Sequence, residues 1–125
     1  METHSHDELL DVWKVYRDSI YRGDADGLAR IFHPNASMFY VVDGKITVVP
    51  IDKYIEIVRN RAAPLKTNAR RDERLVSLAA PSVDSAVLTA TIHILGKSFT
   101  DQLVMLKTDG AWQIVAKTYH LDSES

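Results

Sequence analysis

The stretch Phe99–His120, FTDQLVMLKTDGAWQIVAKTYH, decides the fold. It holds two runs of β-prone residues around the pair Asp109-Gly110, the composition of a tight hairpin. Strict alternation puts Asp101 on the same face as Phe99, Leu103 and Met105. A carboxylate among apolar neighbours is costly unless it is paired, protonated, solvated in a cavity, or on a face that is not buried. A glycine bulge at Thr108-Asp109-Gly110 would set Lys107 opposite Ala111. The cross-strand pairs would then be Phe99 with Tyr119, Asp101 with Lys117, Leu103 with Val115, Val104 with Ile114 and Leu106 with Trp112. That register matches like with like on both faces and gives Asp101 a cation. Paired with Lys117, Asp101 stays ionised; left alone it moves toward the neutral acid, which can donate a hydrogen bond.

Working outward, the spacing predicts long strands at about residues 69–80, 83–95 and 98–107, separated by Pro81-Ser82 and Gly96-Lys97. A last strand over 111–120 completes a meander, and the polar tail Asp122–Ser125 is expected to fray. Upstream, Ser5-His6-Asp7-Glu8 has the form of a capping box, followed by Leu9, Val12, Trp13, Tyr16 and Ile20 at helical spacing. A first helix over about 5–22 follows. Gly23 ends it, and Asp24 caps a short second helix from Ala25 to Phe32 that stops at His33-Pro34. Residues 36–42 and 45–49 form a hairpin about Asp43-Gly44, and Pro50 opens a third helix that reaches about Arg61. Helices first and consecutive strands later is the α+β pattern: helices packed on one face of an antiparallel sheet, with room for a pocket between the layers.

The chain of 125 residues suits a single domain, 1–125. Hydrophobic residues at 46% and charged residues at 26% are ordinary for a globular protein, so disorder and fibrous repeats are excluded. The net charge of -2 gives no general attraction to nucleic acid or anionic lipid. With no cysteine, disulfides and thiolate chemistry are ruled out. No apolar run is long enough to span a bilayer, and the polar start METHSHDELL lacks the pattern of a secretory signal, so a cytoplasmic location is expected.

The order VYRDSIYRGDADGLARIFHPNA, then DG, a helix, and the ending DQLVMLKTDGAWQIVAKTY resembles the nuclear-transport-factor-2-like superfamily and, within it, the lumazine-binding group. The resemblance covers nearly the whole chain. It rests on Gly23-Asp24 with Leu28, Phe32, Pro34 and Ala36, and on Asp101, Leu106-Lys107, Gly110, Trp112, Ile114, Lys117 and Tyr119. It implies a cone-shaped, cystatin-like α+β fold: a strongly bent antiparallel sheet, three helices from the N-terminal half over its concave face, an interior pocket at the wide end, and a homodimer through the sheet. It implies no single activity, because the superfamily includes isomerases, dehydratases, cyclases, transport factors and proteins with no known reaction. Compared with its ketosteroid isomerase branch, where a Tyr and a protonated Asp form an oxyanion hole beside an Asp base, Tyr16 and Asp101 fall on the Tyr and the protonated Asp. The base position falls on Tyr40, which is no carboxylate, and this departure argues against the same proton shuttle.

Two functional readings stay open. In one, a mostly apolar pocket binds a small molecule through Asp101, Tyr16, Trp13, Tyr40, Lys117, Leu103 and Tyr54. In the other, Asp101 and Tyr16 are catalytic in an isomerase or dehydratase that polarises a carbonyl or hydroxyl. A third possibility is an interaction module. For each residue there is a plainer alternative: a partnered strand acid for Asp101, core aromatics for Tyr16, Trp13 and Tyr40. His4 and His6 are expected in a mobile N-terminus, His120 in solvent, His33 in a loop, and His93 on the surface or in a dimer contact. No metal spacing, Gly-rich phosphate loop or nucleophile elbow is present, so neither metal nor cofactor is expected. The basic stretch RNRAAPLKTNARRDER (59–74) lacks interleaved aromatics, which disfavours nucleic acid and leaves a solvated face or an acidic ligand near the pocket rim.

Overall fold

The computed structural model describes residues 2–67 and 69–124, without the side chains of residues 2–5 and 124. The expectation for His4 and the capping hydroxyl of Ser5 lie outside the described side chains, and Ser125 lies outside the described residues. The elements run α1 (Glu2–Arg22), α2 (Ala25–Ile31), β1 (Phe32–Val42), β2 (Lys45–Pro50), α3 (Ile51–Asn60), a 3-10 turn (Pro64–Thr67), β3 (Asp72–Ser82), β4 (Ser85–Ile94), β5 (Lys97–Thr108) and β6 (Ala111–Glu124). The fold is α+β, a cone in which three helices pack with one open six-stranded sheet ordered β2-β1-β6-β5-β4-β3. β1 lies parallel to β6, so one of the five pairings departs from the antiparallel expectation. Among the described residues, no helix is long and apolar enough to cross a membrane.

The apolar stripe of α1 makes the core: Leu9, Val12, Trp13, Tyr16 and Ile20 are buried against Leu88, Leu103, Met105 and Ile114 of the sheet's inner face. α1 begins at Glu2, so Ser5 is inside the helix and not its cap, and His6 is helical. Glu8, the other half of the expected box, accepts from Lys107 Nζ at 3.0 Å. The junction of α1 and α2 is built as expected. Gly23 turns the chain with φ +68°, and Asp24 Oδ1 accepts from the Gly27 amide at 2.9 Å. α2 stops at Ile31, and β1 already starts at Phe32. The His33-Pro34 step is absorbed by a shift in pairing between Phe32 and Ser37, because proline has no N–H to give a ladder.

Three two-residue turns, Asp43-Gly44, Leu95-Gly96 and Asp109-Gly110, have positive φ at both positions, the geometry that joins twisted antiparallel strands. Two of these carry the expected Asp-Gly; Leu95-Gly96 lies one residue before the expected break. β3 begins at Asp72 and runs through Pro81 to Ser82, with the turn at Val83-Asp84, not at Pro81-Ser82. β3 is an edge strand, where a missing N–H is tolerated. The tail does not fray as far as Glu124: β6 pairs Ser98 with Ser123 and Lys97 with Glu124, and Thr100 donates to Asp122 at 2.7 Å.

The register of the last hairpin differs from the expected one. Asp109-Gly110 makes a two-residue turn without a bulge, so Thr108 faces Ala111 and Lys107 faces Trp112. The irregularity falls later, where Met105 faces Ile114 but Val104 faces Ala116, leaving Val115 as the extra residue. Asp101 therefore sits opposite Tyr119, and Lys117 opposite Leu103. The bulge changes the phase of β6, so that Trp112 and Ile114 before it and Lys117 after it all face inward and are buried.

Candidate functional site

A cavity of about 210 Å³ lies between the helices and the inner face of the sheet. Its walls are Ile20 of α1, Met38 and Tyr40 of β1, Val49 of β2, Tyr54 and Ile57 of α3, Ile92 and Ile94 of β4, Phe99 of β5 and Tyr119 of β6. Its charged lining is Asp101 of β5, Lys117 of β6 and Arg61, the residue directly after α3. Such a space, mostly hydrocarbon with a few convergent polar groups, has the character of a small-molecule site.

Asp101 and Lys117 are 4% and 5% exposed, so the acid and the base are nearly dehydrated. Asp101 Oδ2 accepts from the Tyr16 hydroxyl at 2.6 Å and stands 3.7 Å from Lys117 Nζ. This is the diagonal contact across β5 and β6 that the observed register permits. Lys117 Nζ donates to the Tyr54 hydroxyl at 3.4 Å and lies 4.5 Å from the centre of the Tyr54 ring, 5.3 Å from that of Tyr16 and 5.5 Å from that of Tyr119. The ammonium is thus caged by three aromatic rings, a favourable setting for a cation removed from water. Burial alone would lower its pKa, but the Asp101 carboxylate and then the Tyr54 oxygen outweigh that effect, and the net shift is upward. Burial, followed by the Asp101 charge, raises the Tyr16 hydroxyl well above its ordinary value. Tyr16 therefore remains a donor to Asp101 at any physiological pH.

Tyr40 and Tyr119 stack at 4.7 Å, and Phe99 meets Tyr119 edge-on at 5.7 Å. These three rings line the cavity on one side and an open apolar groove with Val41, Val42 and Ile46 on the other. They form the partition between the interior and the outside at that end of the sheet. Tyr119 is pushed up to about 12 by burial and by the neighbouring Tyr40 hydroxyl.

Of the residues singled out in the sequence, Asp101, Lys117, Tyr40 and Tyr54 line the cavity together. Tyr16, Trp13 and Leu103 do not: Tyr16 and Leu103 are fully buried, and Trp13 packs beside Tyr16 at 6.2 Å between ring centres. Tyr16 reaches the site through its hydrogen bond to Asp101 and through its ring beside Lys117. Sequence reasoning passed over Arg61 as part of the basic stretch, and passed over Phe99, Tyr119, Ile92 and Met38 as a lining set. For Arg61, the signal was its place at the end of a helix whose apolar stripe contains Tyr54. His33 lies in β1 and accepts from the Asn35 amide at 3.0 Å, His93 is 2.8 Å from Ser98 Oγ, and His120 is 2.8 Å from Asp122. Among the described residues no cluster of three His, Cys, Asp or Glu side chains could hold a metal.

A family model described as "Putative lumazine-binding" matches residues 4–120. An aldolase, FrzH, of a Cladobotryum species is 24% identical over 115 residues, covering 92% of this chain and 90% of its own. A solved NTF2-like protein of unknown function from Silicibacter pomeroyi superposes with a TM-score of 0.85 at 25% identity, covering 97% of this chain and 98% of its own. One from Shewanella baltica gives 0.88 at 23%, covering 99% and 98%. A ketosteroid isomerase-like protein from Erwinia carotovora shares the fold with a TM-score of 0.71 at 11% identity, covering 94% and 95%. The chain belongs to the lumazine-binding family of the nuclear-transport-factor-2-like superfamily.

Proposed function

We propose that the protein is a cytoplasmic, single-domain small-molecule binder whose ligand occupies the cavity floored by Asp101 and Lys117. The observation that carries this reading is the buried pair itself. Dehydrating two charges costs several kcal/mol each by general estimates, and hydrocarbon of similar volume would often be as stable or more so. A pair held at 3.7 Å in the wall of a mostly apolar cavity is explained by what it offers a ligand: one acceptor and one donor at a fixed place. Thermal-shift measurement with a panel of ring-sized compounds tests this, because a ligand at 100 times its Kd stabilises the native state by about 2.7 kcal/mol. Hits should be lost in Tyr54→Ala and in a cavity-filling Ile94→Trp variant. Hits indifferent to both would count against the cavity.

A second reading is an enzyme that moves a proton next to a carbonyl. The resemblance to an aldolase over most of the chain favours it, as does the presence of an acid within the cavity. Asp101 would exchange the proton, while Lys117 and Tyr54 steady the developing oxyanion. Tyr16, being outside the cavity, would position Asp101 and not touch the substrate. An imine-forming role for Lys117 is disfavoured, because its raised pKa keeps the amine protonated. Exchange of α-protons of small ketones for deuterium, followed by NMR, should occur with the wild type and stop in Asp101→Asn; no exchange above buffer would remove this reading.

The outer face of the sheet supports a homodimer. Val41 and Ile46 are paired across β1 and β2 and are 68% and 75% exposed, with Val48 and Leu106 also open. A second copy of the chain laid on this face would cover them.

A further inference from the structure

Most arginines of the basic stretch are held by acids of the chain. Arg59 meets Glu56 at 3.2 Å and Asp26 at 3.4 Å, Arg71 meets Glu73 at 2.6 Å and Asp18 at 2.9 Å, and Arg74 meets Asp72 at 3.4 Å. Arg61 differs. It lines the cavity, is half-buried, and among the described residues has no acid within ion-pair distance. Its backbone N–H is tied to the Ile57 carbonyl at 3.0 Å, which fixes the root of the side chain at the end of α3. Ile57, beside it in the lining, is 51% exposed, so this is where the cavity meets solvent.

Charge in the cavity is therefore unbalanced. Asp101 offsets Lys117, and Arg61 leaves one net positive charge in a space otherwise lined by hydrocarbon and aromatic rings. The Lys117 ammonium carries three donors, yet its contacts are long, at 3.4 Å to Tyr54 and 3.7 Å to Asp101, so it can donate to a further oxygen. One net positive charge is matched by a carboxylate, which a guanidinium binds bidentately, and leaves a phosphate dianion only half neutralised. The size is also limiting. A protein cavity of about 150 Å³ takes up benzene, so 210 Å³ leaves room for one ring with short substituents.

We infer that the ligand is a small carboxylate with a single-ring or branched apolar body, its carboxylate on Arg61 at the mouth and a hydroxyl or carbonyl oxygen reaching Lys117 and Tyr54 at the floor. This rests on the cavity being the binding site.

Calorimetric titration of benzoate, phenylacetate and 4-hydroxyphenylacetate, each beside its neutral amide, tests it. Arg61 is at the surface end of the cavity, so Arg61→Gln and Arg61→Lys should fold, with circular dichroism as the check. The expected result is that 4-hydroxyphenylacetate binds at least about tenfold tighter than its amide, the usual gain from a charge-assisted hydrogen bond. Arg61→Gln should bring the acid down to the affinity of the amide while leaving the amide unchanged, and Arg61→Lys should keep part of the preference. Equal binding of acid and amide to the wild type, a preference that survives Arg61→Gln, or no binding by any acid would overturn the inference. Two of those results leave the cavity standing if Ile94→Trp abolishes the binding seen. Binding indifferent to Ile94→Trp would instead overturn the cavity as the site.

Discussion

Tyr16 on α1 and Asp101 on β5, 85 positions apart in the chain, meet in a 2.6 Å hydrogen bond that Tyr16 donates. The bond ties the first helix to the middle of the sheet and fixes the carboxylate rotamer facing Lys117. Tyr16→Phe keeps the ring and removes the donor, so a buried acceptor loses a partner. The expected cost is about 1–3 kcal/mol, read as a lower urea midpoint. Because Tyr16 does not line the cavity, any loss of ligand affinity should be smaller than that caused by Tyr54→Ala. A Tyr16→Phe protein as stable as wild type would show that the bond contributes nothing.

The Asp101–Lys117 pair can be tested as a pair. Asp101→Asn leaves the ammonium without its counter-charge in a dry site, which costs about 3–5 kcal/mol, whereas replacing both partners by hydrocarbon is often neutral or stabilising. The double variant Asp101→Leu/Lys117→Met should therefore be more stable than Asp101→Asn, below wild type by about the 1–3 kcal/mol of the Tyr16 hydroxyl left without its acceptor, while binding no polar ligand. A four-way denaturation cycle measures the coupling. If the double variant is the least stable of the set, the pair is there for stability and not for ligand.

Alkaline pH should weaken the fold. Tyr16 is raised above 10.0 and Lys117 above 10.5, in both cases through burial and the Asp101 charge acting together or against each other, and Tyr119 is pushed from 10.0 to about 12. Each group holds its proton longer in the folded state than in the unfolded chain. Its stabilising effect is complete below the unfolded pKa and is lost as pH rises through the folded value. Stability should be flat between neutral pH and about 10 with respect to these groups, then fall. Tyr119→Phe should flatten the fall between pH 10 and 12, as followed by far-UV circular dichroism in urea. An unchanged slope would mean that Tyr119 titrates alike in both states.

How far the sequence could be read depends on where irregularities lie. Phe99 to Met105 alternates without interruption, so the inward position of Asp101 was legible from period alone. The bulge at Val115 carries no glycine or proline to announce it, and the observed register differs from the expected one by one residue before the bulge and by two beyond it. A shift of two preserves the face, which is why Lys117 still meets Asp101. On α1, the stripe marks Trp13 and Tyr16 as inward, but whether a ring reaches a cavity or stops in the core depends on the depth of the sheet beneath it. Arg61 shows the same limit: its charge was visible, its place over the cavity was set by α3 docking on β1.

Gly27 gives a test of the α1–α2 junction. A Cβ there would overlap Ser19 Oγ and stand 2.8 Å from Asp24 Oδ2, the side chain that caps α2. Gly27→Ala should destabilise by about 1–3 kcal/mol through this overlap, even though alanine favours helix. Removing the nearest atom with Ser19→Ala should recover part of the loss, and the double variant measured against both singles in urea would show it. Additive costs would place the strain elsewhere.

The outer sheet face yields the last test. Ile46 and Val41 face solvent on neighbouring strands, and no ion pair or hydrogen bond of the described residues involves their side chains. If two copies meet there, Ile46→Glu sets like charges against each other across the two-fold axis and removes apolar area that would otherwise be covered. Sedimentation should then show a dimer for the wild type and a monomer for Ile46→Glu, with the Tyr16–Asp101 side of the sheet undisturbed and ligand affinity kept. A wild type that sediments as a monomer at all concentrations would mean that this face is covered by another partner or by none. Retained dimerisation in Ile46→Glu would move the interface to a different surface of the cone.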